Sequence, residues 1–184
     1  PAASEVSKRI TLDGRPQART VVLRAANKPA GTLDLHTDLR SAKVQELRAM
    51  PFAALHVWDT SAHLQVRLEA RVEILTGQDV AMIWAGLPEA SRLGYGTSPA
   101  PGQPIADALA YTKGPDPAFF AALRLNVSSI DALHLCPNYL RARMDRLEGG
   151  TGGWLTPQVL NNILGSGTFS PYSTARTPHA NANT

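Results

Sequence analysis

The sequence predicts a mainly β protein, a β-barrel with a few helices, and three observations lead there. From Leu64 the apolar set Leu64, Val66, Leu68, Ala70, Val72 and Ile74 interleaves with Gln65, Arg67, Glu69, Arg71 and Glu73. A period of two over that length marks a strand with one face on a core. Other apolar stretches of strand length are separated by turn residues with few helical stretches between them, which fits an antiparallel barrel rather than βαβ units. No G-x-G-x-x-G follows a strand and opens a helix, which argues against a Rossmann dinucleotide site.

Taken in order, Arg19-Thr-Val-Val-Leu-Arg24 is rich in β-branched residues and reads as a strand. Lys28-Pro-Ala-Gly31 supplies a turn, since proline fixes φ and glycine accepts a positive one. Thr32 to Thr37 alternates as a half-buried return strand. Ser41 can cap a helix whose Val44, Leu47 and Ala49/Met50 fall near helical spacing, and Pro51 stops it. Phe52–Trp58 is a further strand, joined by a turn at Asp59–Ala62 to the long strand Leu64–Leu75. Asp79–Ala85 reads as a short helix bracketed by Gly77 and Gly86, and residues 94–104, rich in glycine and proline, as a long loop. Helices are expected over Asp107–Tyr111 and after Pro117, then strands at Leu123–Val127, Ile130–Leu135 and Tyr139–Leu147. Gly149–Gly153 is expected to turn before Trp154.

Hydrophobic residues are 43% of the 184, enough to bury a sizeable core. The net charge is only +3 and no dense basic run accompanies it, which weighs against nucleic acid as a partner. Lysines are four of the 18 basic residues (Lys8, Lys28, Lys43, Lys113), the rest being arginines. That bias fits an anionic small ligand, and equally the codon usage of a GC-rich genome. Cys136 is the sole cysteine, so an intramolecular disulfide or a cysteine-based metal cluster cannot form. No stretch approaches the ~18 apolar residues of a membrane span and no signal-peptide pattern opens the chain, so a cytoplasmic protein without a membrane partner is expected. His36, His56, His63, His134 and His179 lack a compact metal-ligand spacing, and no metal is expected. His56 and His63 flank the hairpin and read as exposed cross-strand residues.

Polar chemistry concentrates around the first hairpin. The start of its first strand lies beside the end of its second, so Arg19 can face Thr37. Ser41 and Lys43 open the next helix, where free N–H groups and the helix dipole favour an anion. Two hydroxyls, a helix N-terminus and basic groups from three places make a phosphate cradle without a P-loop. The same residues also fit a capped helix with solvated Arg40 and Lys43.

The ordered set Arg19-x-x-x-x-Arg24, Thr37-x-x-x-Ser41-x-Lys43, Gln65-Val66-Arg67-x-Glu69 and Pro88-x-x-Ser91-x-x-Gly94 resembles pyridoxamine 5'-phosphate oxidase and its relatives. The similarity runs on through Arg143 to Trp154-Leu-Thr-Pro157. It implies an FMN-binding split β-barrel, homodimeric, with each flavin at the subunit interface. It puts Arg19, Thr37, Ser41 and Lys43 on positions that hold the FMN phosphate, and Gln65 on a glutamine that reaches the flavin. Arg143 falls on an arginine contributed by the neighbouring subunit. Val21, Val22, Arg24 and His36 lie in the same cofactor-binding segments, His36 in place of a tyrosine. Ala42 stands where the oxidases have an arginine, and Arg40 is expected to take over that charge.

Arg24, Ser91 and Arg141 are expected around a small-molecule substrate with an anionic or hydroxylated group. The oxidases' substrate tyrosine and arginine correspond to Ile83 and Leu87, their Arg-x-His pair to Tyr139-Leu-Arg141, and their flavin-stacking tryptophan to Leu133. The resemblance therefore implies an FMN-dependent oxidoreductase on a small molecule, distinct from true pyridoxamine-phosphate oxidation, with no catalytic residue assigned. The alternative is a non-catalytic flavin carrier, sensor or reductase partner, or a haem- or deazaflavin-binding relative. Tyr95 either covers the flavin or anchors its loop. Residues 1–160 are read as the FMN-binding domain and 161–184 as an extended C-terminal tail.

Overall fold

A computed structural model describes residues 4–10, 16–135 and 140–145. The expected turn at 149–153, the Trp154–Pro157 segment and the tail at 161–184 lie outside the described residues. Seven strands are β1 (Ser4–Ile10), β2 (Pro16–Asn27), β3 (Thr32–Asp38), β4 (Phe52–Asp59), β5 (Leu64–Leu75), β6 (Phe120–His134) and β7 (Leu140–Asp145). The α-helices are α1 (Ala42–Ala49), α2 (Ala81–Gly86) and α3 (Glu89–Arg92). The sheet order is β3-β2-β1-β4-β5-β6-β7, and β3 also pairs with β6. Six strands thus close a ring, and β7 continues from the half of β6 that β3 leaves free.

The alternation of β5 does what its sequence dictates. Leu64, Val66, Ala70 and Val72 are buried, while Arg67, Glu69, Arg71 and Glu73 face outward. Inside the ring Leu64 and Val66 pack with Val127, Ile130 and Ala132, and Ala70 and Val72 with Val21, Leu35, Leu55, Leu123 and Leu125. The apolar face of α1 closes one end of this core through Leu47. A second core lies outside the ring, where α2 and the following loop cover β6 with Tyr95, Phe120, Ala122 and, more exposed, Ile83, Trp84 and Leu87.

Three expectations need correction, and one strand was not expected. The stretches Leu123–Val127 and Ile130–Leu135 form one strand, β6, because its break at Ser128 is a bulge and not a turn: Glu69 pairs with Ser129 and Ala70 with Val127. The helix expected over Asp107–Tyr111 is a turn, in which the Asp107 carboxylate accepts the Leu109 N–H at 3.0 Å; residues 105–111 are exposed and no core draws them into a helix. The helix after Pro117 is a single 3-10 turn, Pro117–Phe119, before β6 takes over. Strand β1 had no strand signal in its polar sequence; pairing with β2 on one edge and β4 on the other fixes it.

Leu55 is 1% exposed and Val22 45% exposed. Leu55→Ala is expected to cost ~2–5 kcal/mol by leaving a cavity, and Val22→Ala less than ~0.5 kcal/mol. Urea unfolding of the two variants measures this contrast; equal losses would contradict the assignment of the barrel interior.

Candidate functional site

The site is built outward from the end of β3. Alternation turns Leu35 and Thr37 into the ring and Asp34, His36 and Asp38 to the outside. Thr37 is 3% exposed and Ser41 8%. Ser41 occupies the N-cap position of α1, as expected, but its hydroxyl does not cap the helix. It lies 3.2 Å from the Thr37 hydroxyl instead, which is also 3.4 Å from the Asp38 carbonyl. Two buried hydroxyls therefore stand together where the first turn of α1 presents its N–H groups. Lys43 is half-buried in that same turn.

Arg19 does not face Thr37. Its Nη2 donates to both carboxylate oxygens of Glu46, at 3.0 Å each, holding it along the flank of α1. The cause is register. A bulge at Arg24 shifts the pairing from Ala25 with Asp34 to Leu23 with Leu35, and counting on along both strands places Val21 beside Thr37. Val21 is buried in the core and Val22 turns outward.

Arg40 does not supply charge to this cradle either. Its Nε and Nη2 donate to Asp38 at 3.0 and 2.8 Å, and Nη2 also to the Thr97 carbonyl at 2.9 Å. Its guanidinium lies over the Phe119 ring, 3.7 Å from the centroid. Asp38 sits beside the cradle, and neither it nor Glu46 carried a signal in the sequence. Burial alone would raise the Asp38 carboxyl, but hydrogen bonds from the Arg40 side chain and from the N–H groups of Arg40 and Gly96 together hold it below the ordinary carboxylate value.

A second group lies on the outer face. Arg24 is exposed on this face, with its charge near the buried Tyr95 hydroxyl. Burial raises Tyr95, and the Arg24 charge and hydrogen bond partly offset that. Tyr95 packs edge-on to Phe120 at 5.0 Å and to Trp84 at 6.3 Å, so in this chain it anchors its loop. His36 also packs edge-on to Phe120, at 5.0 Å. Burial and then the Arg24 charge lower its pKa against the opposing pull of Asp34, so its ring is neutral at neutral pH. Its buried Nδ1 has no protein partner. Ser91 lies in α3, one turn before Tyr95, whose N–H bonds the Arg92 carbonyl at 3.0 Å.

Gln65 and Arg143 occupy a third region. The register lines up His56, Arg67, Asp131 and Arg143 across β4 to β7, with Trp58, Gln65, Leu133 and Arg141 in the neighbouring row. The polar ladder is internally partnered: Arg67 pairs with Asp131, and Glu69 takes the Ser129 hydroxyl at 3.0 Å and Arg143 at 3.6 Å. His56 lies opposite Arg67 and His63 sits in the hairpin turn, so the two are not cross-strand partners. Thr37 pairs with Ala121, and its neighbour Ala122 pairs with Leu75. The cradle thus stands at the Leu75 end of β5 and Gln65 near the other end. Ten residues of strand separate them, ~33 Å at ~3.3 Å each. One chain brings Thr37, Ser41 and Lys43 together, with Arg19 of β2 close by through its bond to Glu46 of α1, and keeps Gln65, Arg141 and Arg143 apart from them.

No group of three or more His, Cys, Asp or Glu able to hold a metal ion occurs among the described residues. No helix among them is long and apolar enough to cross a membrane.

Comparison with known proteins is consistent with this geometry. Residues 5–76 match the family model described as the pyridoxamine 5'-phosphate oxidase, FMN-binding domain. The chain is 30% identical to pyridoxine/pyridoxamine 5'-phosphate oxidase 2 of Arabidopsis thaliana, over 82% of this chain and 83% of that protein. The match to pyridoxine/pyridoxamine 5'-phosphate oxidase of Pseudomonas putida is 37% identical but spans 47% of this chain and 40% of the relative. Among solved structures, a pyridoxamine 5'-phosphate oxidase-related, FMN binding protein of Nostoc punctiforme superposes with a TM-score of 0.71 at 26% identity, covering 84% of this chain and 88% of that one. PhzG of Burkholderia lata, in complex with tetrahydrophenazine-1-carboxylic acid, shares the fold with a TM-score of 0.66 at 17% identity, covering 85% and 83%.

Proposed function

Because the chain belongs to the pyridoxamine 5'-phosphate oxidase-like, FMN-binding family, we propose that it binds FMN at a site shared by two copies of itself and acts as an oxidoreductase on a small molecule. The observation that carries this reading is the pair of buried hydroxyls, Thr37 and Ser41, at the N-terminus of α1. Hydroxyls, helix N–H groups and flanking cations are the donor set that a phosphate monoester requires. Thr37, Ser41, Lys43 and Arg19 would hold the phosphate, with Glu46 keeping Arg19 on the flank of the helix. Bound FMN supplies hydride and electron transfer, and the protein supplies anchoring, orientation and electrostatics.

The separation just described supports a homodimer. Some 33 Å of strand is far longer than any mononucleotide. A second copy would bring its Gln65 and Arg143 to a flavin held by this cradle. Their face, with Trp58 and Phe52 exposed at 41% and 57%, offers both apolar and polar groups for that contact. One cysteine in 184 residues is in keeping with a reducing compartment, and we place the activity in the cytoplasm.

The substrate is a different matter from the cofactor. Ile83 and Leu87, where the oxidases carry substrate-holding polar groups, pack against the outer core with Phe120 and Tyr95. Arg24 and Ser91 remain for an anionic or hydroxylated group, joined by Arg141 from the second copy.

The purified protein is expected to be yellow, with a flavin spectrum; a Soret band or no visible absorbance would refute the cofactor assignment. Arg19→Ala or Lys43→Ala should weaken FMN by ~1.5–3 kcal/mol, one to two decades, and leave riboflavin almost untouched. Titrations monitored by flavin fluorescence measure both affinities, and equal losses would remove the phosphate assignment.

Pyridoxamine phosphate should reduce the bound flavin negligibly under anaerobic conditions. Fast reduction by it would show that packed Ile83 and Leu87 do not exclude that substrate.

Dimerisation and FMN binding should be linked by mass action. At free FMN ~100 times its dissociation constant the shift toward dimer is about 2.7 kcal/mol per site. Sedimentation at low protein concentration reads it, and a monomer that binds FMN at full affinity would rule out the shared site.

A further inference from the structure

The cradle and the Arg24–Tyr95 pair are carried by different segments, yet both converge on one carboxylate. Asp38 is 5% exposed and follows Thr37 directly. It accepts the Arg40 N–H at 2.8 Å and the Arg40 side chain at 3.0 and 2.8 Å. It also accepts the Gly96 N–H at 3.1 Å, from a loop 58 residues on. Arg40 adds a bond from Nη2 to the Thr97 carbonyl at 2.9 Å, while its guanidinium rests on Phe119. Gly96 is confined as well. Its φ is +123°, and a Cβ there would stand 2.1 Å from the Gly114 carbonyl oxygen. On the preceding residue, the Tyr95 carbonyl accepts the Asp116 N–H at 2.9 Å. On the other side of Asp38, its own carbonyl accepts the Ser41 N–H at 3.1 Å and the Thr37 hydroxyl at 3.4 Å.

We propose that Asp38 is a positioning residue that locks the cradle to the Tyr95 loop, so that one buried carboxylate sets the spacing between the phosphate end and the Arg24 end of the ligand site. What the cradle holds rests on the FMN reading; the lock itself does not. Backbone groups of Asp38 fix Ser41 and Thr37, and its side chain fixes Gly96, one residue from the ring whose hydroxyl meets Arg24. A shift of Asp38 moves both ends together. Two groups of opposite charge surround the carboxylate, Arg40 against it and Asp116 acting on Arg40 from the loop.

The test uses the full chain with Asp38→Asn and Arg40→Met, and Asp131→Asn as a control in the Arg67 pair at the far end of the barrel. Without flavin, the near-ultraviolet circular dichroism of the Trp84–Tyr95 cluster should change in Asp38→Asn and Arg40→Met and stay unchanged in Asp131→Asn. In the native chain the aromatic signal should persist below the ordinary carboxylate range and disappear at lower pH, and this acid step should be absent in Asp38→Asn. With flavin, Asp38→Asn should weaken FMN about tenfold while riboflavin changes less than about twofold. An unchanged aromatic signal in both latch variants overturns the proposal, as do equal losses for FMN and riboflavin. If Asp38→Asn does not fold, Arg40→Met carries the same expectations. A native chain that binds no flavin would refute the FMN reading and leave the aromatic arm to decide the lock. Normal FMN binding with an unmoved aromatic signal would refute the lock and leave the FMN reading standing.

Discussion

Strand β6 is paired along both edges, with β5 over its length on one side and with β3 and then β7 on the other. The β3–β6 pairing turns an open sheet into a ring, and every later feature depends on it. Closure removes the edges that β3 and the first half of β6 would otherwise leave unpaired. It gives the alternating strands an interior to fill, Leu35, Leu55, Leu123 and Leu125 among them. Its register also sets Thr37 beside Ala121 and Asp38 beside Phe120, and so fixes where the cradle stands against the outer core.

Within that frame, charge is tolerated at the edge of the core because it is paired. Asp38 with Arg40, Glu46 with Arg19, and Asp34 with Arg124 each join a well-buried carboxylate to a more exposed guanidinium. Isolated, such carboxylates would be neutralised or would destabilise the fold. Paired, they act as fixed struts between strand, helix and loop. Exposed Arg24 stands outside these three pairs: its charge acts on the Tyr95 hydroxyl and on His36.

The two ends of β5 carry different groups. One end of β5 lies beside the cradle and the other carries Gln65 in a row with Trp58, Leu133 and Arg141. A strand that long separates groups that a ligand would need close together. The proposed second copy resolves this by bringing its far end to the first copy's near end, and the ladder would then serve as contact surface. PhzG shares this fold at 17% identity, and a shared barrel does not by itself specify a ligand.

Periodicity in the sequence by itself determined the long strand β5, the hairpin of β2 and β3, helix α1 from Ser41 to Pro51, and hence the barrel class. These are local properties, written in which residues alternate and which terminate. Ser41 was legible as a helix start because a small hydroxyl residue precedes the apolar spacing. Its hydroxyl's turn toward Thr37 was not legible, since that contact needs β3 and α1 in place. The bulges at Arg24 and Ser128 were equally silent, as a single extra residue shows only against its partner strand. The bulge at Arg24 decided that Val21 and not Val22 sits beside Thr37, and the bulge at Ser128 that two short strands are one. Asp38, Glu46 and β1 had no signal for the same reason: their roles are long-range pairings, and pairing across the ring is fixed by tertiary closure rather than by neighbours along the chain.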